Sequence, residues 1–181
     1  ADWVRQEVAF PSTMVDRIVP AMTQEARGQL FACLDGVEDE VGVACEPFSQ
    51  WVIEDRFPQG RPAWEKVGAE LVSDVLPYEE MKLRMLKGSH SFLAYLGYLA
   101  GYQHIGDCMQ DADFVRAARH LMLAEQAPTL QVPNVDLAQY ADSLLRRFRN
   151  RSLKHRTAQI AVDGTQKLPQ RLLDAIRWHL A

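Results

Sequence analysis

A chain of 181 residues with 48% hydrophobic composition is long enough to bury a sizeable core in one domain, or to be a large part of a bigger protein, and its composition excludes disorder. Its 20 Lys and Arg stand against 24 Asp and Glu, a net charge of −4, which leaves no electrostatic footprint for a nucleic-acid partner. Cys33, Cys45 and Cys108 are odd in number, widely spaced and without a CxxC pair, so neither a disulfide framework nor a zinc ribbon is signalled, and a reducing, cytoplasmic setting is expected.

In chain order, ADWVRQEVAF carries charges that interrupt any signal-peptide core, and no apolar run reaches the roughly 18 residues of a membrane span, so no membrane partner is expected. The absence of an initiator Met suggests a piece of something longer. FPSTMVDRIVP (10–20), bounded by Pro11 and Pro20, reads as an extended connector. TQEARGQLFACLDG (23–36) predicts a short helix with Thr23 as N-cap and Gly36 as its stop. VGVACEPF and QWVIEDRF, rich in β-branched and aromatic residues between breakers, read as two short strands.

From Gly60 the pattern turns helical. GRPAWEKVGAELVSDVLP has Pro62 at a first-turn position and apolar residues at Trp64, Val67, Leu71, Val72 and Val75, which predicts a helix ended by Pro77, where another can begin. YEEMKLRMLKGSHSFLAYLGYLAGY follows as one long helix or two joined near Gly88, with Ala94, Gly97, Ala100 and Gly101 small enough to admit a close neighbour. Asp111 caps the next helical pattern (111–128) and Asp136 belongs to the one after it (135–150). Two further helices are expected at 152–162 and 169–180, separated by DGTQKLP as a loop. The fold class read from these elements is mainly α with a short extended portion near the N-terminus.

Chemistry concentrates in MKLRMLKGSH (81–90), where Lys82, Lys87 and His90 sit among apolar residues, and basic groups are costly to bury without a partner. A lone lysine is usually a solvated surface charge and a lone histidine usually structural. Lys82, however, follows Glu79 by three residues and precedes the most apolar stretch of the chain. An amine that is desolvated, or that sits beside another cation, holds its proton less tightly and can serve as a general base. The five histidines are dispersed without HxxxH or HExxH spacing, so no metal is expected. No GxSxG, P-loop or GxG occurs, so any nucleotide would be bound by another segment.

VAFPSTMVDRIVP and MKLRMLKGSHSFLAYLG resemble the signature segment and the catalytic helix, KxxxxNxxH, of the polyol-specific long-chain (mannitol) dehydrogenase family. ACEPFSQWVIEDRF, GRPAWEKVGA and HRTAQIAVDGTQKLPQRLLD are similar to its hexuronate branch. The resemblance implies an NAD-dependent, metal-independent interconversion of D-mannonate and D-fructuronate, with a related polyol or tagaturonate as alternative substrates. It also implies a helical substrate domain similar to the C-terminal domain of 6-phosphogluconate dehydrogenase. The division expected is 1–40 as the end of a nucleotide-binding domain with its connector and 41–181 as a substrate domain that continues further, in a monomeric protein.

Carried over by position, Lys82 is implied as the general acid/base and His90 as the group that hydrogen-bonds and orients the substrate oxygen. Asp16 is expected near the site, Arg17 in a structural role, Glu79 as a relay for the proton, and Lys167 as a cation for an anionic hexuronate. Lys87 departs from the pattern: it stands where the family has an asparagine whose amide donates to the developing alkoxide. That departure keeps a second reading open, a non-catalytic helical module or degenerate paralogue.

Overall fold

The computed structural model describes residues 2–181. Three strands form one small sheet in the order β1-β2-β3: β1 (Thr13–Asp16) pairs antiparallel with β2 (Gln50–Glu54), and β2 pairs parallel with β3 (Ala69–Val72). Alternation in β1 turns Met14 and Asp16 inward and Thr13 and Val15 outward. Met14, Val52, Val75 and Tyr78 make the small core under the sheet.

Ahead of and beside the sheet, α1 (Asp2–Glu7) and α2 (Gln24–Cys33) bury no side chain. Thr23 caps α2 as its spacing predicts, accepting from the Ala26 amide at 3.1 Å. Next come α3 (Leu76–Met81), a π-helical segment (Lys82–Gly88) and α4 (Ser89–Leu99), which run without a break, so the long pattern is one helix with a widened turn at its centre. Gly101, at φ 87°, ends it, and the Tyr102 amide reaches back to the Gly97 carbonyl at 2.8 Å.

The remaining helices are α5 (Ile105–Cys108), α6 (Ala112–His120) continued by π turns (Leu121–Gln126), α7 (Leu137–Phe148), α8 (Thr157–Ile160), α9 (Gly164–Leu168), and α10 (Asp174–Leu180), the last preceded by a third π segment (Pro169–Leu173). Asp111 accepts from Asp113 N and Asp136 from Ala138 N and Gln139 N, so both aspartates cap their helices. The main core gathers Met85, Leu86, Leu93, Met122, Leu144 and Phe148. Gly97 admits α5 and α8: a Cβ there would lie 2.4 Å from Cys108 Sγ and 3.4 Å from Thr157 Cγ2. The architecture is mainly α with one small sheet.

Four local expectations are corrected. Residues 60–77 do not form a helix. A 3-10 turn (Trp64–Val67) ends at Gly68 in a left-handed conformation, φ 94°, and β3 follows because Ala69–Val72 pairs with the buried β2, a tertiary gain that outweighs local periodicity. Trp64 packs on Trp51 and Phe57, and Val67 is exposed. VGVACEPF is not a strand, because Glu46 turns its carboxylate inward and Pro47 offers no amide to a ladder. DGTQKLP is not a loop: only Asp163, at φ 60°, makes the turn, and α9 begins at Gly164. The helix expected over 152–162 is limited to α8.

Candidate active site

On a regular α-helix, Lys82 and Lys87 stand about 140° apart around the axis. The π segment that contains both changes this, because its i→i+5 bonding widens the turn and brings a residue nearly above the one five positions earlier. His90, three residues further along, returns to the same face. The widened turn therefore assembles the three basic groups that an ideal helix would scatter.

β1 lies against this face. The Lys82 ammonium donates to the Val15 carbonyl. The adjacent residue, Asp16, is buried and accepts from Arg147 of α7 through both oxygens, at 2.9 and 3.1 Å. Arg147 also donates to both oxygens of buried Glu46, at 3.0 and 2.7 Å, and its guanidinium stacks on Phe48 at 3.9 Å. Glu46 is fixed in turn by the Ile18 amide at 2.7 Å. Forked, charge-assisted pairs of this kind fix geometry in two dimensions, so the triad sets the position of β1 against the helices.

Burial, followed by the neighbouring His155, Lys87, Arg171 and Arg147, holds His90 well below the usual histidine range. His90 is accordingly a neutral imidazole at physiological pH, with one donor and one acceptor nitrogen. It stacks on Phe148 at 5.4 Å and meets His155 at 4.8 Å. Burial and Lys87 also depress His155. Lys87 is lowered from the ordinary lysine value by burial first and then by Lys82 and Arg171, with Asp16 opposing. Tyr140 is pushed up by burial and by Asp16, and its hydroxyl is buried without a partner. Beyond His90 a cavity of about 180 Å³ opens between α5 and the end of α7, lined also by Ile18, Asp107, Arg147 and His155.

The structure thus brings Lys82, Lys87, His90 and Asp16 together. Arg17 donates to the Phe48 and Pro47 carbonyls and holds the segment that carries Glu46. Glu79 is exposed and shows no side-chain bond to Lys82. Lys167 donates to the Ile160 carbonyl at 3.4 Å and pairs with Asp163 at 3.7 Å. Sequence reasoning missed Glu46, Arg147, His155 and Arg171. Arg147 alone left a signal, since it falls three residues after Leu144 on the apolar stripe of α7. Among the described residues no group of three or more His, Cys, Asp or Glu is arranged to hold a metal ion.

Residues 74–181 match the mannitol dehydrogenase C-terminal domain, and residues 1–66 match the mannitol dehydrogenase Rossmann domain. The chain belongs to the mannitol dehydrogenase family. It is 68% identical over its whole length to an uncharacterised oxidoreductase of Escherichia coli and 60% identical over 99% of its length to the D-mannonate oxidoreductase of that organism, covering 37% of each. Among solved structures it is similar to Pseudomonas fluorescens mannitol 2-dehydrogenase in a ternary complex with NAD and D-mannitol, at TM-score 0.86 and 43% identity over 98% of this chain and 36% of that one. The chain therefore spans a little over a third of the length of these relatives. No helix among the described residues is long and apolar enough to cross a membrane.

Proposed function

We propose that the protein to which this chain belongs interconverts D-mannonate and D-fructuronate by hydride transfer with NAD, with Lys82 moving the hydroxyl proton. The observation that supports this best is the gathering of Lys82, Lys87 and His90 on one helix face beside Asp16, in a chain 60% identical to a D-mannonate oxidoreductase. A carbon gives up hydride only as its hydroxyl loses a proton, and an amine tied to a backbone carbonyl is oriented to take it at Nζ. His90, neutral, holds the substrate oxygen by hydrogen bonding without competing for that proton. Lys87, which stands where the family has an amide, adds a second cation to this face.

Residues 1–66 match the family's Rossmann domain without a GxG turn, so in this reading a Gly-rich loop for the dinucleotide belongs to another segment of the protein. Bound NAD supplies the hydride acceptor. In this reading the first part of the chain closes a nucleotide-binding domain, and the rest is a substrate domain resembling that of 6-phosphogluconate dehydrogenase.

The test is turnover by the protein carrying this chain together with a nucleotide-binding domain, over a panel of D-mannonate, tagaturonate and D-mannitol. Highest turnover is expected with D-mannonate, and Lys82→Ala lowers kcat by about 10²- to 10⁴-fold with the fold intact. Unchanged turnover by that variant removes Lys82 from the mechanism. Activity confined to neutral polyols favours the second reading, a polyol dehydrogenase, which the likeness to a mannitol-bound enzyme keeps open.

A further inference from the structure

The face that carries Lys82 holds more positive charge than the chain neutralises. Lys82, Arg171 and Arg147 all act on Lys87, and the carboxylates nearby, Asp16 and Glu46, are both taken up in paired bonds by Arg147. Lys82 is occupied by the Val15 carbonyl. Lys87 shows no hydrogen bond or ion pair among the described residues. Arg171 has no carboxylate either: one terminal nitrogen donates to Ser91 Oγ at 3.1 Å, and its Nε is buried without an acceptor. His90 and His155, also in this region, are neutral and supply no anion.

Packing explains why the segments that carry these two cations adjoin. Gly88 follows Lys87 in the chain, and a Cβ on it would lie 2.5 Å from the Arg171 carbonyl, so the first and third π segments touch at this point. Two half-buried cations on touching segments, with the one carboxylate that acts on Lys87, Asp16, already bonded to Arg147, are costly, and the cost falls when an anion joins them. A carboxylate suits the donors present, since its two oxygens offer about four lone pairs against the three N–H of an ammonium and the terminal N–H groups that a guanidinium does not spend on Ser91.

We infer that Lys87 and Arg171 form a carboxylate-binding subsite beside Lys82, which makes the ligand of this face a sugar acid in preference to a neutral polyol. The inference rests on the reading of this face as one that binds a sugar, and adds the residues that select the acid. Calorimetric titration of the full chain with D-mannonate and with D-mannitol tests it. D-Mannonate binds at least about tenfold tighter, as expected for one charge-assisted bond. Lys87→Gln and Arg171→Gln each remove most of that preference, Arg171→Gln leaves D-mannitol affinity within about twofold, and Arg171→Lys, which keeps the charge, retains part of the preference. Circular dichroism checks each fold, and if Arg171→Gln does not fold, Lys87→Gln alone decides.

Equal affinity for the two ligands, no D-mannonate binding by the folded chain at millimolar concentration, or an undiminished preference in Lys87→Gln overturns the subsite. Acid-selective binding in a protein with no NAD-dependent turnover removes the proposed reaction and leaves the subsite standing. Turnover of D-mannonate with unselective binding does the reverse.

Discussion

Arg147 is the ion-pair partner of two buried carboxylates, Asp16, 1% exposed, and Glu46, 2% exposed. Its removal leaves like charges facing each other out of water, which is a larger effect than the loss of the bonds themselves. Arg147→Ala is therefore expected to destabilise the chain by about 3–5 kcal/mol, measured by equilibrium urea unfolding. A loss under about 1 kcal/mol would mean that the triad is solvated. At this scale the sequence was informative where chemistry is local to a motif: Lys82, Lys87 and His90 fall on one continuous helix. It was silent on Glu46 and Arg171, because what marks them is a partner, or the lack of one, on a distant segment.

At the scale of elements, three π segments meet around Gly88, whose position admits no side chain: a Cβ would stand 2.4 Å from Gln126 Nε2 and 2.5 Å from the Arg171 carbonyl. Gly88→Ala should cost about 1–3 kcal/mol by overpacking. By contrast Gly28→Ala, in α2 where nothing lies within 4 Å, should be neutral or stabilise by up to about 1 kcal/mol through helix propensity. Thermal unfolding of the pair checks both signs, and equal shifts would defeat the packing argument. Helix starts at Thr23, Asp111 and Asp136 were legible because a cap bonds an amide only two or three residues away. The strand β3 was not, since its apolar spacing also fits a helix and only pairing with β2 decides. The π segments leave no mark in residue type, yet they set which side chains share a face.

For the whole molecule, His90 and His155 couple stability to pH. Both are depressed below the ordinary histidine value of 6.5, His90 by burial and then His155, Lys87, Arg171 and Arg147, and His155 by burial and then Lys87. The unfolded chain then binds protons that the folded chain refuses. Stability is full above about pH 6.5 and falls as pH drops toward the folded values, by up to about 1.4 kcal/mol per pH unit for each histidine kept neutral. The melting temperature is expected to fall between pH 7.5 and 5.5, and to fall less in His155→Gln. A flat profile would show that the imidazoles reach water.

The mainly α class, with its N-terminal extended portion, followed from composition and period. The joining of sheet to helices did not, because it depends on ion pairs between residues far apart in the chain. Arg147 lies 131 positions from Asp16 and 101 from Glu46. During synthesis, a nascent chain emerges with β1, β2 and the Lys82 helix complete while Asp16 still lacks its counter-charge. By then Met14 already packs with Val52, Val75 and Tyr78 and sets the inward face of β1, but the carboxylate next to Val15, the residue that Lys82 bonds, stays without its forked partner until α7 follows.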